Sequence, residues 1–179
     1  MNFIQLCEEV GEWSMKNFGE QSPENPAEGF IEELGEFCHA HLKMKQGIRG
    51  TQEEHQAAMA DAIGDATIYL ADFCYRAGFL EILKRNDFLL QENFPSYFDK
   101  DDEGSSIVNF IYKTVSAIGS LLENWLDGFY TNDHIGIALG YLYFVCMRNN
   151  LNLNECVVTT WTQVKQRNWK QNKLTGVAE

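Results

Sequence analysis

Apolar residues recur at three- and four-residue spacing along most of the chain, and strand-like alternation bounded by turns is missing. Such a sequence buries its hydrophobic side chains only as amphipathic helices packed on one another, so the expected fold class is all-α. Phe3, Leu6, Val10, Trp13 and Asn17-Phe18 mark a first helix over residues 3–18, ended by Gly19. Asn25 as cap, Pro26 at the first position and Glu28 reaching back predict a second helix running to about Gln46, closed by Gly47 and Gly50. Thr51-Gln52-Glu53-Glu54 reads as a capping box for a third helix, which should continue to about Ala77 before Gly78. A short helical piece over 79–90, then helices over about 105–125 and 133–148 and a last one capped by Asn154, complete the expected set.

Two acidic runs lie on the second and third of these helices: Glu32-Glu33-Leu34-Gly35-Glu36 and Asp61-Ala62-Ile63-Gly64-Asp65. Residues three or four apart share a helix face, so Glu32/Glu36, Glu33/Glu36 and Asp61/Asp65 each point the same way, and Asp72 extends the second group along one stripe. A charge run is usually a solvated face. Here Ala66-Thr67-Ile68-Tyr69-Leu70-Ala71 and Phe73-Cys74 surround the aspartates with an almost wholly apolar helix, which predicts burial. At an effective dielectric of about 20, two carboxylates about 5 Å apart repel by roughly 3 kcal/mol. Between Lys45 and Arg76 the sequence offers only Arg49 against that repulsion. A hard divalent cation would offset it, and oxygen-only donors suit Mg²⁺ or Mn²⁺ better than zinc.

The formal net charge of −12 argues against a polynucleotide partner, because that binding depends on Lys and Arg neutralising phosphates. A small phosphorylated ligand is still allowed, since a bound cation can supply positive charge that the protein lacks. Cys7, Cys38, Cys74, Cys146 and Cys156 are dispersed without a Cys-x-x-Cys pair and read as reduced core thiols. No run approaches the length of a membrane span and the first residues lack a secretory pattern, so no membrane partner and a cytoplasmic location are expected.

The 179 residues suit a single domain with a first half over 1–90, a charged linker over 91–104 and a second half over 105–179 that ends in a basic tail. Asp61-Ala62-Ile63-Gly64-Asp65-x-x-x-Tyr69-Leu70 and Asp133-His134-Ile135-Gly136-Ile137-x-x-x-Tyr141-Leu142 align in register, and Leu34-Gly35 aligns with Ile118-Gly119. The halves therefore read as a pseudo-duplicated pair of helical hairpins in which the second has lost its carboxylates, with Ile137 where Asp65 stands and Ala117 and Ser120 where Glu33 and Glu36 stand.

Glu-Glu-x-x-Glu at Glu32, Glu33 and Glu36, followed on the next helix by a motif ending at Asp65, resembles the all-α nucleoside-triphosphate pyrophosphatases, the MazG-like superfamily that includes dimeric dUTPases and dCTP pyrophosphatases. The resemblance covers about residues 27–90. It departs from the family at Ala62, where a Glu is expected, and Asp61 is the candidate substitute. The resemblance implies a MazG-like helical bundle that cleaves a nucleoside triphosphate to the monophosphate and pyrophosphate. Mg²⁺ or Mn²⁺ would be held by Glu33, Glu36, Asp65 and Asp61, with Glu32 or Asp61 acting on the attacking water. It implies a homodimer, a sugar contact by Tyr69 and a phosphate-binding C-terminal patch over Lys165-Gln166-Arg167-Asn168-Trp169-Lys170, to which Lys84, Arg85 and Asn86 are added as candidate phosphate clamps. Trp13 and Phe18 are candidates for base stacking. Two other readings compete. One is a nucleotide-binding or helical interaction protein without turnover, motivated by Ala62; the other is a di-iron carboxylate bundle, suggested by Glu36-Phe37-Cys38-His39 but lacking a second Glu-x-x-His.

Overall fold

A computed structural model describes residues 1–84, 106–128 and 133–177. Among the described residues the regular elements are helices: α1 Phe3–Phe18, α2 Glu24–Gln46, α3 Gln52–Arg76, α4 Leu80–Leu83, α5 Ile107–Leu126, α6 Asp133–Arg148 and α7 Leu153–Val164. The expected all-α class holds. The charged linker over 91–104 and the part of the short helical piece beyond Lys84 lie outside the described residues.

Helix ends follow local chemistry. Asn2 Oδ1 accepts from the Ile4 N–H at 2.8 Å to open α1, and Gly19, at φ 72°, closes it. Thr51 and Glu54 form the expected capping box on α3, with Thr51 Oγ1 accepting from Glu54 N–H at 3.1 Å and Glu54 Oε2 accepting from Thr51 N–H at 2.8 Å. Two expected caps are corrected. The α2 N-cap is Pro23, whose φ of −56° is already helical; Ser22 Oγ accepts from Glu24 N–H, and Asn25 lies inside the first turn. The α7 N-cap is Asn152, two residues before the expected Asn154, because Asn152 Oδ1 reaches the Glu155 N–H at 3.0 Å.

The apolar run on α3 places it at the centre. Its main packing partner is α2, α1 and α7 cover two further sides, and α6 touches it. α5 packs on α6. Phe3, Phe30, Phe37, Phe73, Phe110 and Trp161 are among the largest fully buried side chains. Cys7, Cys74, Cys146 and Cys156 are buried free thiols, as expected, whereas Cys38 is exposed because it falls on the solvent side of α2.

Glycines set the closest helix approaches. A Cβ on Gly64 would stand 2.1 Å from Thr160 Oγ1 and 2.9 Å from the Cys156 carbonyl oxygen, so the absence of a side chain there lets α3 meet α7. Gly35, by contrast, has open space around it. Gly64→Ala is therefore expected to destabilise the fold by roughly 1–3 kcal/mol through overpacking, while Gly35→Ala stabilises it by about 0.5–1 kcal/mol through helix propensity alone. Urea unfolding of the two variants beside the parent checks both signs.

Candidate functional site

Consecutive residues on α2 face different ways, and this separates the three glutamates. Glu33 is half-buried toward α3, while Glu32 and Glu36 on either flank are exposed. On α3, Asp65 is half-buried and Asp61, one turn earlier, is exposed. Ala62, where the family pattern places a glutamate, is 3% exposed and belongs to the core.

Glu33 and Asp65 line one pocket of about 160 Å³ whose walls include Trp13, Phe18, Tyr69 and Trp169, with Arg167 at its edge. Larger depressions flank it. Glu32, Glu36 and His39 line a groove of about 550 Å³ that reaches α3 at Ala58, and Asp61 lines one of about 610 Å³ between α3 and α7 with Glu155 and Gln163. These two are bigger, but they lack the aromatic walls and the cation of the small pocket, so the chemistry gathers where Glu33 and Asp65 meet.

The five carboxylates act on one another. Burial, then Asp65, Glu36, Glu32 and Asp61, push the Glu33 carboxyl up to about 8. Burial and Asp61 push Asp65 up to about 6, opposed by Arg167. Burial raises the Tyr69 hydroxyl, with Glu33 and Asp65 the next contributors, which places that side chain within the field of the same acids. Tyr69 also has a packing role: its ring fills the space over Gly29, where a Cβ would come within 2.5 Å of it.

Among the described residues no group of three or more His, Cys, Asp or Glu side chains stands arranged to hold a metal ion. The expected four-carboxylate set of Glu33, Glu36, Asp65 and Asp61 is thus not assembled as such: Glu33 and Asp65 share the pocket, and Glu36 and Asp61 lie in the two adjoining grooves. In donor type and charge the set fits a hard divalent cation, because every donor is a carboxylate oxygen and Arg167 offsets only part of the mutual repulsion. Asp72 is a further correction. It also borders the pocket, but Arg76 Nε donates to both its oxygens at 3.0 Å and Ser14 Oγ donates to it at 2.8 Å. Arg76 Nη1 continues to the Gly19 carbonyl at 3.0 Å, so this aspartate fastens α1 to α3. For the di-iron reading, Glu36 and His39 are both exposed on α2.

The C-terminal segment is fastened to α1 beside the pocket by hydrogen bonds with Asn17 and Trp13, and the role of Asn17 is not among the expected ones. Asn17, 9% exposed, accepts from Trp169 N–H at 2.8 Å and donates to the Trp13 carbonyl at 2.9 Å. Trp13 Nε1 donates to the Arg167 carbonyl at 3.2 Å, and the Arg167 guanidinium lies 5.9 Å from the Trp169 ring centre. The signal for Asn17 was present: it is a polar residue at a position the apolar period of α1 assigns to the core. Of the expected substrate contacts, Trp13, Tyr69 and Arg167 line the pocket together. Lys165 and Lys170 are exposed and outside its lining. Asn168 is used in a turn, its Oδ1 accepting from Gln171 N–H at 3.1 Å. Lys84 is not in the pocket and pairs with Glu8 at 3.4 Å and Glu81 at 3.2 Å, while Arg85 and Asn86 lie outside the described residues.

Because the folded state holds Glu33 and Asp65 above their ordinary carboxylate values, the stability they contribute is fully present at about pH 4 and lost as pH rises through about 6 and about 8. In metal-free buffer Tm should fall across that range. Glu33→Gln should flatten the upper part of the fall, as read by thermal melts from pH 5 to about 9. A parent Tm that rises over this interval would contradict the electrostatics described.

No family model, curated protein or solved structure matches the chain.

Proposed function

We propose that this chain is a divalent-metal-dependent nucleoside-triphosphate pyrophosphohydrolase, acting as the MazG-like enzymes that its acidic motifs resemble. The observation that carries the reading is the juxtaposition in one small pocket of two strained carboxylates, Glu33 and Asp65, with aromatic walls and a single arginine. Buried like charges destabilise a fold, and a set of residues that raises its own acids in this way is characteristic of sites built to receive a cation.

Mg²⁺ or Mn²⁺, held by Glu33 and Asp65 with Glu36 and Asp61 from the adjoining turns, would supply charge to polarise the phosphate chain. The residues do the rest. Arg167 offers charge-assisted hydrogen bonds to phosphate oxygens, and Trp13, Phe18, Tyr69 and Trp169 give flat surfaces for base and sugar. Glu32 or Asp61, exposed at the margins, takes the proton of the attacking water. Under this reading α5–α6 is the counterpart of α2–α3 in a pseudo-duplicated MazG-like bundle, with Ala117, Ser120 and Ile137 where Glu33, Glu36 and Asp65 stand, and the protein works as a cytoplasmic homodimer. A second reading, nucleotide binding without turnover, is favoured by one observation: Ala62 is in the core, leaving the expected second glutamate without an equivalent on that face.

Pyrophosphate release from a panel of canonical and modified nucleoside triphosphates, with Mg²⁺ or Mn²⁺ and a chelator control, separates the two. The expected outcome is metal-dependent release that Glu33→Gln and Asp65→Asn each lower by roughly 10²–10³-fold in kcat with helicity unchanged. Saturable nucleotide binding without release establishes the second reading. Full activity in either variant, or neither binding nor release, removes the proposal.

A further inference from the structure

Four of the five cysteines are buried, and they stand in two pairs that each join different helices. Cys7 on α1 meets Cys74 on α3, and Cys146 on the last turn of α6 hydrogen-bonds Cys156 on the first turn of α7. The pairs differ in what can reach them. Cys7 and Cys74 are both 0% exposed. Cys156 is 7% exposed and lines the groove of about 610 Å³ between α3 and α7, while its partner Cys146 is 1% exposed. The link between α6 and α7 holds this second pair together. The Cys146 carbonyl accepts from Asn149 N–H at 3.0 Å and from Leu151 N–H at 2.9 Å, which turns the chain back on itself, and Cys156 N–H donates to the Asn152 carbonyl at 3.0 Å. Gln56 Nε2 on α3 donates to the Asn149 carbonyl at 3.0 Å and fixes the turn to the body of the protein.

We propose that Cys156 and Cys146 form a peroxide-reactive dithiol that closes reversibly to a disulfide, with Cys156 the attacking sulfur and Cys146 the resolving one. The Cys156 sulfur, as thiolate, attacks one oxygen of hydrogen peroxide; the O–O bond breaks, Cys156 becomes a sulfenic acid, and the other oxygen takes a proton and leaves as water. The Cys146 sulfur then attacks the Cys156 sulfur, the S–S bond forms, the S–O bond breaks, and the hydroxyl leaves as a second water with the Cys146 proton. Two thiols and one peroxide give one disulfide and two waters, the sulfurs losing the two electrons that the peroxide gains. Position assigns the roles, since Cys156 is the member of the pair that borders the groove. The thiol–thiol bond supports them: Cys146 donates to the Cys156 sulfur and holds that thiol below its ordinary range against burial and Glu155, whereas Cys146, bonded to Cys156 and buried, is raised. A covalent S–S bond is shorter than the hydrogen bond it replaces, so closure draws the end of α6 onto α7, a wall of the groove that also holds Asp61. In a reducing compartment the pair reopens, as transient disulfides there do. None of this depends on what the acidic pocket binds.

Peptide mapping of the full chain reads the bond directly, because Arg148 lies between the two cysteines and trypsin leaves them on separate peptides, 114–148 and 149–165. In a Cys38→Ser background, which removes the exposed thiol, stoichiometric hydrogen peroxide followed by denaturation and maleimide labelling should consume two of the four remaining thiols. The same treatment should join those two peptides, and dithiothreitol should part them again. Cys146→Ser should stop at a sulfenic acid on Cys156 that dimedone traps, and Cys156→Ser should slow thiol loss roughly tenfold or more. Mapping of the Cys38→Ser chain decides the matter even where either further replacement unfolds the protein. Four free thiols after excess peroxide overturn the proposal. So does a Cys7–Cys74 link that forms as fast, or thiol loss at an unchanged rate in folded Cys156→Ser.

Discussion

Enclosure of α3 is the constraint from which the rest of the molecule follows. With α1, α2 and α7 against it, a polar atom on the buried stretch of this helix has little access to water and must be answered from within the protein. Thr67 Oγ1 donates to the Ile63 carbonyl at 2.8 Å, and Asp72 takes Arg76 and Ser14. Asp65, seven residues before Asp72, is raised first by burial and then by Asp61 and Glu36, with Arg167 the opposing influence. Burial raises both aspartates and both border the pocket, but they differ in their partners: Asp72 is tied by Ser14 and Arg76 and holds helices together, whereas Asp65 has other carboxylates near it and only Arg167 opposing them. This contrast separates a structural carboxylate from a candidate functional one without reference to any motif.

The apolar packing of α2 on α3 is what holds the acids in place. Phe30, Leu34 and Phe37 on α2 and Ile63, Ala66 and Leu70 on α3 are all nearly fully buried. At about 25 cal/mol per Å² of apolar surface removed from water, each large side chain contributes on the order of 1.5–3 kcal/mol. That is enough for a handful of them to offset a carboxylate pair repelling by a few kcal/mol. The fold can therefore carry a partly compensated charge cluster without coming apart, with burial and the neighbouring acids pushing Glu33 up to about 8.

Local signals were legible in the sequence, and distant ones were not. Thr51 and Glu54, or Phe18 and Gly19, announce helix ends because the interactions that end a helix span three or four residues. Where two local solutions compete, as Pro23 against Asn25 or Asn152 against Asn154, the surrounding turn decides and the sequence alone does not. Spacing alone groups Asp72 with the acidic stripe; its burial, the Arg76 pair one turn later and the Ser14 contact from α1 make it a helix fastener instead. The acidic residues of the site were identified by face and spacing, but the separation of Glu33 from Glu32 and Glu36 depends on how α2 rolls against α3. The C-terminal strap was the least legible part, because Asn17 and Trp169 are 152 residues apart and no local pattern links them.

That strap gives the charge balance of the pocket its meaning. The chain has 26 acidic side chains against 14 Lys and Arg, so it has little positive charge to spare. Arg76 is committed to Asp72, and Lys84 to Glu8 and Glu81. Arg167 is carried to Asp65 by a segment that Trp13 and Asn17 anchor through backbone hydrogen bonds, an arrangement that sets its position without using its guanidinium. Water screens the three exposed acids at the margins, but Arg167 alone does not neutralise the half-buried Glu33 and Asp65. Bound protons, as on Glu33, or a cation brought in from solution would complete the balance, and a ligand that carries both a divalent metal and phosphate groups would satisfy the carboxylates and Arg167 at the same time.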